Sequence, residues 1–411
     1  MDFKIIKKIC IDLFKKDKFD YPKADVLTFA CDNDRYINYK GRMYSPLVDT
    51  VSDDLSKYGF TNTSITRIAA RIKGDKSYGR VFSPEGAFAR ALIIKRFKAL
   101  FLRRDKYSYS FMEERIWEKI IGTIKPKVVV AIMPSRELCT VCHKNNIWVA
   151  DLQHGVISEE HPWYDAKYRK NEPPEWVPNF LCWDEGAVNA INKWSKPEVE
   201  VHLIGNPWVN RFIGKKTDDH FINDLKSIYC LKNKNRKKSI LISISWGNDN
   251  ILGNDFISDS LENFILNNID KYDFYMRLHP NMLSGFATNE GADFFKYYND
   301  TYPKNKIEWE KSTEMPLPLL LSNVDLHITW NSSVCIEAAM MGVKSLALDF
   351  ELLKGRSREI YYSNLESTGH LDKMDADTSD IELWVNANLH EKLEPYKNYT
   401  SNYKNVIEHI K

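Results

Sequence analysis

Proton transfer, phosphate binding and sugar contact each need particular side chains, and this chain gathers them at a few points where apolar runs stop. Asp-Leu-Gln-His-Gly-Val at 151–156 closes one such run. Ligands of parallel α/β sheets bind outside the carboxyl ends of the strands, so His154 is a candidate general base. Gln153 and Gly155 flank it on the acceptor side, the glycine letting a second molecule approach the backbone. The stretch that follows holds His161, Trp163 and Tyr164, which could line the apolar face of an acceptor sugar.

Three further segments suit an anion. Ser243-Ile-Ser-Trp-Gly247 ends an apolar run with Ser245 and Gly247 in a small turn that can present amides to a phosphate. Arg277-Leu-His-Pro280 adds a guanidinium fork at Arg277 and an imidazole donor at His279, ahead of Pro280. Asn331-Ser332-Ser333 precedes a helical pattern, offering hydroxyls and first-turn amides. Glu337, one turn further in, can accept from two ribose hydroxyls. The order of these segments on successive strand ends points to a nucleotide-sugar site.

Two patterns compete with that reading. Asp184-Glu185-Gly186 also ends a strand-like run, so Asp184 or Glu185 is an alternative base, helix capping being the plainer role. Cys139-Thr-Val-Cys142-His143 has the spacing of covalent haem attachment. It falls in a helical stretch with no export signal and no second Cys/His pair, so small buried helix residues are expected there.

The elements that must position these residues follow from periodicity. β-Branched runs at 128–133, 147–152, 179–183, 199–204, 239–245, 274–278, 326–329 and 345–350 alternate with amphipathic stretches, which predicts parallel sheets covered by helices. Strands are also expected over 25–31 and 36–47, and a long helix over 85–102. Gly205-Asn-Pro207 and the lysine-rich stretch after it mark a boundary. The expected division is 1–205, 206–375, and a helical segment 376–411 that can cross back to the first domain.

Lys plus Arg (58) nearly balances Asp plus Glu (56), so no global field points to nucleic acid. Charge interrupts the amino-terminal apolar stretch every few residues, which argues against a signal peptide or membrane span and for the cytoplasm. Seven cysteines fit reduced thiols. Residues 87–104 combine an apolar face with six basic residues and no acid, suited either to a core helix with a solvated edge or to an anionic membrane surface.

His279-Pro280, followed some fifty residues later by Ser332-Ser333 and the early helix glutamate Glu337, resembles the donor-site signature of GT-B glycosyltransferases that build bacterial capsules, lipopolysaccharide and teichoic acids. Bacterial polysialyltransferases, Kdo transferases and CDP-polyol phosphotransferases share it. The resemblance implies an α/β GT-B fold of two Rossmann-like domains facing a central cleft. It places donor phosphates at His279 and Ser332/Ser333, the ribose at Glu337 and the interdomain turn at 205–207. It implies a nucleotide-sugar donor, with a cytidine nucleotide favoured, and a saccharide or lipid-linked saccharide acceptor. His154 is similar to the base of the polyol-phosphate enzymes, and Asp184-Glu185-Gly186 to the acidic base motif of the sialyltransferases. No cofactor and no metal are expected. Sugar-nucleotide 2-epimerases of the same fold, or a non-catalytic assembly partner, are the alternatives.

Overall fold

In a computed structural model, the chain is described apart from residues 1–6, 8–9, 32–33, 67–75, 103–108, 159–171, 214–218, 230–236, 246–251, 253–255, 281, 283–289, 392 and 397–401. It divides into two compact units, one comprising Met1–Pro207 with Tyr399–Lys411, the other Trp208–Asn398.

The first unit is built on seven parallel strands: β1 (Val26–Ala30), β4 (Asn62–Thr66), β5 (Val81–Phe82), β6 (Val128–Ala131), β7 (Trp148–Leu152), β8 (Asn179–Cys182) and β9 (Val201–Leu203). Their order is β5-β4-β1-β6-β7-β8-β9. Helices cover both faces, so a central strand such as β6 reads as a continuous apolar run. In β6, Val128 and Val130 face one core with Leu152 and Leu181, while Val129 and Ala131 face another with Trp117 and Phe29.

The stretch 36–47, expected as one strand, is a hairpin of β2 (Ile37–Tyr39) and β3 (Arg42–Tyr44). Lys40 and Gly41 both take positive φ, 51° and 80°, and Asn38 Oδ1 accepts from the Gly41 amide at 3.0 Å. Such a two-residue turn matches the twist of the strands it joins.

The second unit carries six parallel strands: β10 (Ser239–Ser243), β11 (Asp273–Arg277), β12 (Ile307–Glu308), β13 (Leu326–Thr329), β14 (Lys344–Ala347) and β15 (Leu371–Lys373). Their order, β12-β11-β10-β13-β14-β15, reverses direction between β10 and β13. That reversal opens the crevice where such sheets take ligands. Ile240 and Ile242 pack on one face with Phe264, Phe274 and Phe294, and Leu241 on the other with Leu320 and Ala338.

The segment 376–411, set apart as one piece from the sequence, divides between the units. The helix Thr378–Asn388, opened by an Asp377/Asp380 capping box, buries Ile381, Trp384 and Val385 in the second unit's core. Only 399–411 returns, with Tyr403, Val406 and Ile410 packing on Val128, Val130 and Leu152.

His327 in β13 is fully enclosed, its Nε2 2.8 Å from Ser243 Oγ and its Nδ1 2.9 Å from Ser345 Oγ. Burial pushes its pKa down to about 3, so it is held neutral. The unfolded chain therefore binds a proton below about pH 6.5 that the folded chain refuses. Stability present above that pH is lost as the pH falls towards 3. Urea unfolding should show the parent losing about 2–3 kcal/mol more than His327→Asn between pH 7.5 and 4.5. Parallel losses would contradict a neutral buried histidine.

Candidate active site

At the carboxyl edge of the first sheet, β7 and β8 lie side by side and deliver two loops. Gln153 locks them together. It is buried, its Nε2 donating to Gly155 O at 2.9 Å and towards Asp184 Oδ2 at 3.4 Å, while its Oε1 accepts from the Trp183 amide at 2.6 Å. Its amide is occupied on both sides, so Gln153 is a brace between loops and not the acceptor contact expected from the sequence.

His154 stands half-buried beside that brace. Among the described residues, a Cβ added at Gly155 would meet nothing within 4 Å. Asp184 caps the helix Glu185–Asn192 through the Ala187 amide, 2.9 Å from Oδ1. Burial raises its carboxyl pKa, and the hydrogen bonds from Ala187 and Gln153 pull the other way. Glu185 is exposed in the first turn of that helix. The acceptor-side residues His161, Trp163 and Tyr164 lie outside the described residues.

Cys139 and Cys142 are buried in the helix Arg136–Lys144, while His143 is exposed. Among the described residues no group of three or more His, Cys, Asp or Glu side chains is arranged to hold a metal.

The second unit's edge is more revealing. Ser243 Oγ is committed to His327 and its carbonyl to Thr329 Oγ1, so Ser243 serves the interior. Two residues on, Ser245 Oγ is sealed from solvent with no hydrogen-bond partner among the described residues. An enclosed hydroxyl without a partner is costly and marks a place where one is to be supplied. Gly247 lies outside the described residues.

Arg277, at the end of β11, departs from its expected role. It is buried, and its Nη1 donates to the carbonyls of Ser312 and of Met315, the latter at 2.7 Å. The guanidinium thus fastens β11 to the helix Glu310–Glu314 and its C-cap Met315 instead of standing out as a phosphate fork. Its charge still reaches its neighbours. Burial first, then Arg277, depresses the His279 pKa to about 4, so that imidazole is neutral near pH 7. The His279 carbonyl accepts from the Met282 amide at 2.9 Å, closing a turn across Pro280.

Asn331 is likewise turned to internal use. Its Nδ2 donates to Asp349 Oδ2 at 2.7 Å, and its carbonyl accepts from Tyr362 Oη at 3.0 Å. Asp349 is wholly buried, and the same Oδ2 takes a hydrogen bond from Arg358 Nη1 at 2.8 Å. Asn331 thus braces the loop while Ser332 and Ser333 remain at its tip. Ser332 Oγ accepts from the Val334 amide at 3.3 Å, whereas Ser333 Oγ makes no hydrogen bond among the described residues.

Glu337, on the helix Val334–Met340, receives no hydrogen bond among the described residues. Burial lifts its pKa to about 7, and the opposing pull of Arg277 is too weak to restore it. The structure thus brings Arg277, His279 and Glu337 within electrostatic reach of one another, with Ser245 and Ser333 on the adjoining ends of β10 and β13. The bracing by Gln153, Asp349 and Arg358 was not foreseen from the sequence. It depends on strand order and loop closure, which residue spacing does not carry.

No family model matches the chain, and no curated protein does. Solved structures do. A UDP-GlcNAc 2-epimerase from Methanocaldococcus jannaschii aligns with 93% of this chain and 98% of its own, at 13% identity and a TM-score of 0.54. The Neisseria meningitidis UDP-GlcNAc 2-epimerase bound to UDP-GlcNAc aligns over 94% and 98%, at 14% identity and a TM-score of 0.53. A variant of the wall teichoic acid polymerase TagF aligns over 99% of this chain and 94% of its own, at 14% identity and a TM-score of 0.56. At such identities the likeness concerns the fold: the chain has the α/β GT-B fold.

Proposed function

We propose that this chain is a GT-B glycosyltransferase that moves a sugar from a nucleotide-activated donor to the saccharide or lipid-linked acceptor of a surface polymer. The observation that carries the reading is the second unit's edge. Ser245 Oγ, Ser333 Oγ and the Glu337 carboxyl have no hydrogen-bond partner among the described residues, and they stand where the strand order reverses. Buried or half-buried polar groups left open at a switch point suit a ligand with phosphate and ribose groups. Structures of similar fold were solved with UDP-GlcNAc, which supports the ligand class.

In this reading the second unit holds the donor, Glu337 takes the ribose hydroxyls, and Ser245, Ser333 and neutral His279 meet the phosphates. With Arg277 fastened to carbonyls, Arg358, whose Nε and Nη2 make no hydrogen bond among the described residues, serves as a cation for the departing phosphate. His154 takes the acceptor proton as the oxygen attacks. The outcome is inverting and needs no metal, so activity should survive a chelator.

Thermal-shift measurements with CMP, CDP, UDP, GDP and dTDP test the reading, since a ligand of the folded state raises the melting temperature. A cytidine nucleotide is expected to give the largest rise. Ser332→Ala/Ser333→Ala and Arg358→Gln should each weaken it by roughly 1.5–3 kcal/mol per charge-assisted hydrogen bond lost. No shift with any nucleotide sinks the donor site.

The 2-epimerase reading keeps one observation in its favour. Asp184 is a buried carboxyl of raised pKa at a strand end, suited to proton abstraction. Incubation with UDP-GlcNAc alone decides between them, because an epimerase needs no acceptor.

A further inference from the structure

The loop that carries the two serines and the loop that carries Arg358 meet on one carboxylate. Asn331 and Asp349 each stand two residues past the end of their strand, and those strands, β13 and β14, are parallel neighbours. Asp349 is wholly buried. Its Oδ2 accepts from Asn331 Nδ2 at 2.7 Å and from Arg358 Nη1 at 2.8 Å, and its Oδ1 accepts from the Glu351 amide at 3.0 Å. A carboxylate so enclosed is tolerable only with its oxygens engaged, and each of these bonds fixes a different stretch of chain.

The guanidinium is thereby set in aim as well as in place. Arg358 N donates to Glu351 O at 2.8 Å and Ser357 Oγ to Glu351 Oε2 at 2.6 Å, so the backbone beneath the side chain is held too. With Nη1 turned to Asp349, the edge formed by Nε and Nη2 is left without a hydrogen bond among the described residues. Two N–H groups on that edge point the same way, the geometry that grips two oxygens of one phosphate. The serine loop is held from a second side. Tyr362 Oη donates to the Asn331 carbonyl at 3.0 Å, and burial keeps the phenol protonated by pushing its pKa up. Tyr362 adopts a φ of 62°, a left-handed backbone that costs a bulky residue free energy and that surrounding contacts must enforce.

We propose, on the reading that the second unit holds the donor, that Asp349 is a positioning residue. It never meets the ligand; it presents the Nε/Nη2 edge of Arg358 beside the Ser332–Ser333 tip, so that guanidinium and hydroxyls receive one phosphate together. Donors fixed beforehand need no reordering when the anion arrives, and hence hold it more tightly. The arginine cannot be exchanged for any cation. Asp349 offsets its charge, which leaves the paired N–H geometry as what the phosphate gains.

Titration calorimetry of the full chain with CDP and with UDP tests the proposal, the melting temperature without nucleotide being recorded for each variant. Asp349→Asn keeps the side chain's shape but takes the anion from Arg358, and affinity should fall roughly 10-fold. Arg358→Lys keeps both Asp349 and the charge, and it should bind as weakly as Arg358→Gln, within about twofold. The lysine variant decides alone where Asp349→Asn melts early. The Arg358 Nε–H resonance, assigned by its loss in Arg358→Gln, should shift when CDP or UDP binds the parent. In Asp349→Asn at saturating nucleotide it should stay near its free position, a change that a role in stability alone would not produce. Parent-like affinity in Asp349→Asn or Arg358→Lys overturns the proposal, as does an Nε–H resonance that nucleotide leaves unmoved in the parent or moves equally in Asp349→Asn. A parent that binds neither nucleotide fails earlier, at the donor site itself, and takes this inference with it.

Discussion

His154→Ala is expected to lower kcat by roughly 10²–10⁴ while leaving nucleotide affinity nearly unchanged, the worth of a general base that acts only as the acceptor attacks. Gln153 is fastened to Gly155, Trp183 and Asp184, so the loop should keep its shape when the imidazole is removed. Asp184→Asn is the matched control. An amide oxygen can still cap the Ala187 amide, so the helix Glu185–Asn192 should survive and kcat should fall far less. Steady-state kinetics on both variants, with nucleotide affinity measured in parallel, gives the answer. The reverse ranking would move the base to Asp184. A large loss of affinity in His154→Ala would make this histidine a phosphate ligand.

Glu337→Gln should both stabilise the free protein and weaken its hold on ribonucleotides. The carboxyl's pKa is about 7 when folded against about 4.5 when unfolded, so the unfolded chain holds fewer protons between those values. Folding stability therefore falls as pH rises through that window, and above pH 7 the group costs about 1–3 kcal/mol, allowing for its partial exposure. Removing the charge should raise the melting temperature at pH 8 and leave it little changed at pH 4.5. Ribonucleotide affinity should drop roughly 10-fold to 100-fold, as the loss of charge-assisted hydrogen bonds implies. A 2′-deoxynucleotide supplies the cycle: parent and variant should differ less on it, because one of the two hydroxyls that Glu337 would hold is gone. In the parent, ribonucleotide affinity should climb between pH 6 and 8 as the carboxyl ionises. A variant that loses ribo- and deoxyribonucleotide equally would place Glu337 elsewhere than on the ribose.

Strand and helix positions were legible wherever burial on both sides forces an apolar run. The stretch 326–329 was read with its observed bounds, as was the helix Glu85–Leu102. β4 escaped notice because Asn62-Thr-Ser-Ile-Thr66 is almost wholly polar. Its Ser64 is satisfied by Thr28 Oγ1 at 2.5 Å across the sheet, a partner that no local pattern reveals. The site was legible as chemistry but not as commitment. Residue type says that Arg277, Asn331 and Gln153 can donate hydrogen bonds. Only the folded chain shows that Arg277 holds two carbonyls, Asn331 a buried aspartate and Gln153 a neighbouring loop. Glu337 and Ser333 are distinguished by the opposite property, and this too is invisible until their neighbours are known.

The return of 399–411 to the first unit makes the second unit an insertion within the first. During synthesis, the residues that shield Val128, Val130 and Leu152 emerge only after the whole of Trp208–Asn398 has been made. The second unit can close its own core while the nascent first unit still shows an apolar flank beside its growing sheet. That interval is when a chaperone would find a hold on the chain. The short stretch carrying Tyr403, Val406 and Ile410 then acts as a latch on the finished product, fastened once both sheets exist.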